Sequence, residues 1–289
     1  MKTYAEPSHP EPQNPGTRER AFTLTDLLVV MATLAILAAV ILPVLARSGD
    51  NGMRMVCLNN LRQMGTAQNM YLTDDQDYMP WPNWGCDGDC PAGWLYSPNP
   101  NTPNNLNQGL ALDTANWSTG RVANLKTGVY WQYLQNPDVF MCPVFAATLV
   151  GSVIWEQYNN KLSTYCMNGA SAFFPAVSPA NTYGYKTAKA SQIWSPLCII
   201  QWEPSGTSGV NDGYNDGANY PLSDEGVSSL HVTGAPVLAV GGSSRFMSFA
   251  DFTAEMHNPP NQWMYNICTV SKGLLWWNPQ LCDGHGIQE

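Results

Sequence analysis

Charge is scarce in this chain. Asp, Glu, Lys and Arg make up 12% of its 289 residues, with 13 bases against 22 acids and a net charge of −9. The basic stripe that phosphate binding requires is missing, which argues against a nucleic-acid partner. Missing too are the strings GxSxG, HExxH and GxxxxGKS/T and any paired CxxC spacing. Serine hydrolysis, zinc proteolysis, P-loop chemistry and zinc ribbons therefore lose their usual sequence support, and nothing reads as an enzyme. No internal repeat is evident.

What replaces charge is Gly (24), Pro (22), Tyr (13) and Trp (11), a composition of turns, short strands and aromatic packing. The length suits one large globular domain with an accessory segment. Eight cysteines, at 57, 86, 90, 142, 166, 198, 268 and 282, favour an oxidising compartment and disulfides over free thiols. Connectivity stays open; Cys86 with Cys90 in "CDGDC", and Cys268 with Cys282, are the easiest pairs to close.

Residues 27–46 carry no charge at all, close to the ~20 that cross a ~30 Å hydrocarbon core. A secretory signal peptide is the competing reading, but its apolar region runs ~7–15 residues and ends at a small-residue cleavage site. No such site follows here. Instead Met53, Val56, Cys57, Asn60, Leu61, Met64, Ala67 and Tyr71 recur at helical steps. The pattern predicts one helix over 22–71, ~75 Å long at ~1.5 Å per residue, with an apolar first half and an amphipathic second half.

"RERAFTLTDLL", from Arg18, followed by that helix, resembles the N-terminal signature of type IV pilins and type II secretion pseudopilins. The resemblance implies cleavage on the cytoplasmic side by a prepilin peptidase between Ala21 and Phe22. It also puts Asp26 and Pro43 at the family's acidic position and helix-kinking proline, although the family's usual residues before the cut and at the acidic position are Gly and Glu. A carboxylate at the edge of hydrocarbon is costly and therefore a functional candidate. In pilin-like filaments, the resemblance implies, it faces the N-terminal amine of a neighbouring subunit and sets register. The competing reading of Asp26 is a helix cap, and both roles are compatible. Pro43 removes a backbone donor and bends a helix, or is simply a tolerated membrane-helix proline.

Later segments resemble the pilin-like proteins of planctomycete and verrucomicrobial type. "VCLNNLRQM", from Val56, is similar to their Cys-Leu-x-Asn-Leu-x-Gln run, "VFMCPVF" (139–145) to their Cys-Pro element and "STYCMNG" (163–169) to their Ser-Tyr-x-x-Asn element. Their closing motif is His, nine residues, then Asp-Gly. Here His231 is followed by nine residues and then Gly241 and Gly242, which suits a hairpin turn with positive φ. His231 itself reads as a ligand, a switch or a hydrogen-bonded structural histidine at a strand start.

The expected fold is α+β and pilin-like: the long N-terminal helix packed on a curled antiparallel sheet, with long disulfide-tethered loops. The divisions are a leader over 1–21, the helix over 22–73 and a head over 74–289. "GVYWQYLQNP" (128–137) reads as a short helix stopped by Pro137, and 196–202, "APVLAVGG" and "SRFMSFADF" read as strands.

Several candidates are chemically sharper. Asp212 and Asp216 in "NDGYNDGANY" offer oxygen ligands for Ca²⁺, although Asp-Gly turns need no metal. No other cofactor is expected. Trp81, Trp84, Trp94 and Trp117 either stack on sugars or cover the core. "CDGHG" at 282–286 would need further ligands to hold zinc, and Cys142 with His231 makes a poor thiol hydrolase. The resulting expectation is a single-pass inner-membrane precursor, processed and extracted by pilus or secretion machinery into a periplasmic or extracellular homo-oligomeric filament. The alternatives are a minor or tip adhesin binding glycan or protein through the Trp-rich loop, and a monomeric membrane-anchored exoprotein.

Overall fold

The computed structural model describes residues 23–83, 91–97, 117–151, 155, 158, 160–172, 187–205, 214, 217–221, 225–257 and 273–277. The chain divides into two compact units, Met1–Ser48 and Gly49–Glu289. Helix α1, Leu24–Asp74, begins in the first and ends in the second.

In the first unit α1 is built from Leu, Ala, Val, Ile and Met. Its window Leu24–Ile41 is long and apolar enough to cross a membrane or serve as a signal segment, and none of it is buried in the protein. Pro43 falls inside α1, where it supplies no amide hydrogen to the helix ladder.

In the second unit, α1 turns one stripe inward: Cys57, Asn60, Leu61, Met64, Ala67 and Gln68 are buried, and Leu72 packs on the core. The stripe starts later than the periodicity predicts. Met53 and Val56 remain 40% and 47% exposed, while Arg54 in the same turn reaches the sheet. That guanidinium lies 3.7 Å over the Phe246 ring and donates to Thr233 Oγ1. The helix stops where Gln76 and Asp77 take positive φ, and the Met79 amide then donates to the Ala188 carbonyl.

The fold is mixed α and β. Among the described residues five strands form one sheet, β1 (Cys166–Asn168), β2 (Ile199–Trp202), β3 (Ala218–Asn219), β4 (Gly234–Ala239) and β5 (Ser244–Ser248), in the order β3-β1-β2-β4-β5. All neighbours are antiparallel except β1 and β3. Strands β1 to β4 are buried throughout, including the polar Asn168, Gln201 and Asn219, whereas the edge strand β5 is mostly half-buried. The β4–β5 turn uses one of its two glycines for positive φ: Gly242, at +83°. The hairpin is tied to α1 by Gln68 Nε2 donating to the Val240 carbonyl (2.7 Å) and Ser244 Oγ to the Leu58 carbonyl (3.0 Å). The core around them is aromatic, including Trp94, Trp202, Trp276, Trp277, Tyr130 and Phe140.

Short helices differ most from expectation. The helix expected over 128–137 is α3, Trp131–Leu134; it ends because Gln135 takes φ +47°, and Pro137 instead opens a separate 3-10 turn, Pro137–Phe140. After α2 (Trp117–Leu125) and α4 (Pro143–Thr148), the last described helix, α5, is Phe249–Met256. It replaces the end of the expected strand "SRFMSFADF", since the Ser248 hydroxyl accepts from the Asp251 amide and donates to its carboxylate, capping a helix there.

Cys57, Cys142, Cys166 and Cys198 are buried free thiols, so the expectation of disulfides over free thiols fails for these four. Cys86, Cys90, Cys268 and Cys282 lie outside the described residues.

Candidate functional site

Two places concentrate chemistry. The first is the start of α1. The Thr23 carbonyl accepts the first helical bond from the Leu27 amide, and the Thr23 hydroxyl accepts from the Asp26 amide at 3.2 Å. The Asp26 carboxylate reaches back to accept from the Thr23 amide (3.0 Å) and hydroxyl (2.7 Å). This reciprocal box makes Thr23 the cap and Asp26 its third-position partner. It also aims the carboxylate toward the N-terminus. Ala21 and Phe22 lie outside the described residues.

The second place is buried inside the second unit, where Cys57, Cys142, Glu203 and His231 converge. Each supplies one donor atom, and these atoms all lie within 4.8 Å of one another. The four come from four segments: Cys57 from α1, Cys142 from the extended residue that starts α4, Glu203 from the residue after β2, and His231 from the turn entering β4. Because β2 and β4 are antiparallel neighbours, the end of one lies beside the start of the other. All four side chains are fully buried.

Hydrogen bonds fix this convergence. One turn along from Cys57, Asn60 Nδ2 donates to the Met141 carbonyl at 3.1 Å, while the Cys142 amide donates to Thr164 Oγ1 at 2.7 Å. Together they hold the Cys-Pro turn against α1. The His231 carbonyl accepts from the Gly234 amide, closing the turn before β4, and the Glu203 carbonyl accepts from the Ser228 amide. The His231 ring also meets Phe246 edge-on, with centroids 6.3 Å apart.

Cys57 Sγ lies 3.3 Å from Cys142 Sγ, Cys142 Sγ lies 3.6 Å from His231 Nε2, and the same Nε2 lies 3.4 Å from Glu203 Oε2. Neither Glu203 oxygen has a hydrogen-bond partner of good geometry among the described residues. The electrostatics follow from crowding. The Cys57 thiol, then burial and the Glu203 carboxylate, push the Cys142 thiol far above its ordinary range. Burial alone would lower the His231 pKa; the Cys142 sulfur and the Glu203 carboxylate outweigh it and lift the pKa to about 10.

This arrangement does not match a nucleophile relay. In a Cys-His-acid relay the sulfur and the carboxylate use opposite ring nitrogens, so that the acid orients the base. Here both face Nε2, and a fully buried sulfur meets no substrate. Donors crowded around one point are the geometry of a ligand set.

The other sequence candidates fall elsewhere. Trp94 is completely buried, its indole donating to the carbonyls of Pro82 and Gly217. Trp81 is 3% exposed and forms part of the wall of an open cleft with Tyr71, Asp75, Tyr78 and Pro91. Neither offers a broad face for stacking, because both are spent on the core. Trp84, Asp212, Asp216 and the 282–286 segment lie outside the described residues. Glu203 is the site residue that sequence reasoning missed; its only signal is a lone acid directly after an uncharged, mostly apolar strand. No family model, curated protein or solved structure matches the chain.

Proposed function

We propose that this chain is the precursor of a structural filament subunit of the type IV pilus or type II secretion pseudopilus kind. A prepilin peptidase removes the leader after Ala21. The apolar part of α1 holds the product in the inner membrane as a single pass. Pilus or secretion machinery then extracts it into a homo-oligomeric periplasmic or extracellular filament with residues 27–46 in the fibre core.

One observation carries this reading. None of Leu24–Ile41 is buried in the protein, and side chains such as Leu28, Ile36 and Val40 are 63%, 66% and 62% exposed, although the same helix continues into a packed head. So long an apolar surface requires an outside partner, which is lipid before assembly and other copies of the helix afterwards. Asp26 supports the reading too. Its carboxylate accepts from the Thr23 amide, one residue from the amine that cleavage before Phe22 creates, so it is poised to meet such an amine in a neighbouring subunit. The adhesin alternative is weakened by the burial of Trp81 and Trp94.

Asp26→Ala tests the assembly step. Electron microscopy of surface preparations is expected to show filaments lost, with the membrane-inserted, folded protein at wild-type abundance. Unchanged filament yield contradicts the role given to Asp26.

A further inference from the structure

The buried cluster has a function of its own, and the argument for it does not depend on the filament reading. Two sulfurs, one imidazole nitrogen and one carboxylate oxygen meet around one buried point, where neither Glu203 oxygen has a well-formed hydrogen bond among the described residues. Without a metal the carboxylate faces a protonated His231 at 3.4 Å, outside hydrogen-bond geometry, an imperfect compensation that a bound metal cation would complete. We propose that Cys57, Cys142, Glu203 and His231 bind one zinc ion in a closed structural site that clamps α1 to the adjoining ends of β2 and β4.

Geometry and donor chemistry agree on the metal. A tetrahedron with Zn–S of about 2.3 Å and Zn–N or Zn–O of about 2.0–2.1 Å has edges near ~3.8 Å for S···S, ~3.6 Å for S···N and ~3.4 Å for N···O. The corresponding separations are 3.3, 3.6 and 3.4 Å. The Cys142–His231 and His231–Glu203 edges match, the sulfur pair needs to open by about half an ångström, and an edge at the 4.8 Å outer bound of the set needs to close by about 1 Å. Thiolates exclude Mg²⁺ and Ca²⁺, which take oxygen shells, while the imidazole and carboxylate do not suit a soft monovalent ion. Four protein donors and full burial leave no open position for water, the mark of a structural rather than catalytic zinc.

Neighbouring groups support the ligands. Asn60 Nδ2 reaches both the Met141 carbonyl and the Tyr165 hydroxyl, and Thr164 Oγ1 accepts from the Cys142 amide, so both position the Cys142 backbone. Binding releases three protons to solvent, one from each thiol and one from the His231 imidazolium, which then ligates in its neutral form. The ligands are far apart in sequence, so the ion links segments that hydrophobic packing alone must otherwise align.

A disulfide between Cys57 and Cys142 is the competing chemistry, and the test separates the two. The full chain, purified in detergent without chelator or reductant, is analysed for metal by inductively coupled plasma mass spectrometry and for thiol state by intact mass. The expected result is about one zinc per chain with Cys57 and Cys142 both reduced. Chelation is expected to lower the Tm by about 10 °C or more. Cys57→Ser and His231→Gln are expected to lose at least about tenfold in zinc affinity. Should either variant fail to fold, Co²⁺ exchanged into the wild-type chain gives the decisive spectrum: visible bands of tetrahedral Co²⁺ with thiolate-to-cobalt charge transfer. Absence of stoichiometric metal together with a Cys57–Cys142 disulfide overturns the proposal, as does zinc retained undiminished in folded Cys57→Ser.

Discussion

Gly65 and Gly52 lie in the same helix with opposite surroundings. A Cβ on Gly65 would sit 2.7 Å from the Gly242 carbonyl oxygen and 2.9 Å from Leu238 Cδ1, whereas one on Gly52 would meet nothing within 4 Å. Gly65→Ala is therefore expected to push the β4–β5 hairpin off α1 and destabilise the head by about 1–3 kcal/mol. Gly52→Ala, which only gains helix propensity, is expected to be neutral or stabilising by up to about 1 kcal/mol. Urea denaturation of the two variants checks both signs, and a Gly65→Ala protein as stable as wild type contradicts the close approach. At this scale the sequence is partly legible. Cys57, Cys142 and His231 stand out by residue type, but nothing in the string says that residues 85 and 89 positions apart share one point. Trp81 and Trp94 show the same limit: in segments without periodicity, aromatic content does not reveal which way a ring faces.

Among elements, α1 is the most legible, because a period of 3.6 over several turns reports a buried face directly. The helix expected over 22–71 runs Leu24–Asp74, and the apolar-to-amphipathic change along it is visible in the residues. Strand existence is legible too, at β2, β4 and β5. Ends are less so: the Ser248–Asp251 box that starts α5 and the positive φ at Gln135 that ends α3 are single-residue events that override a longer pattern. The sheet order β3-β1-β2-β4-β5 is not legible at all, since its one parallel pair joins segments with no shared sequence signal. For α1 the apolar window makes a direct prediction. Leu34→Arg places a charge within it, at a cost of about 2.5–3.5 kcal/mol if the residue lies near the middle of the bilayer. Alkaline carbonate extraction is expected to move a large share of the variant from the membrane pellet to the supernatant, and full retention in the pellet contradicts the spanning role.

At the scale of the whole molecule, the head and the apolar segment pose separate problems. The head buries many of its apolar residues in an aromatic core, and the proposed zinc joins helix to sheet inside it. None of Leu24–Ile41 is buried within the chain. That difference is why the proposed life cycle has two solvents for one helix, lipid and then sibling helices, with cleavage before Phe22 as the step between precursor and subunit. The most direct test is N-terminal mass spectrometry of the protein recovered from sheared cell-surface filaments. The account predicts a chain beginning at Phe22, found as the repeating component of the fibres. A chain still carrying Met1, recovered as a soluble monomer with no filament, would contradict it.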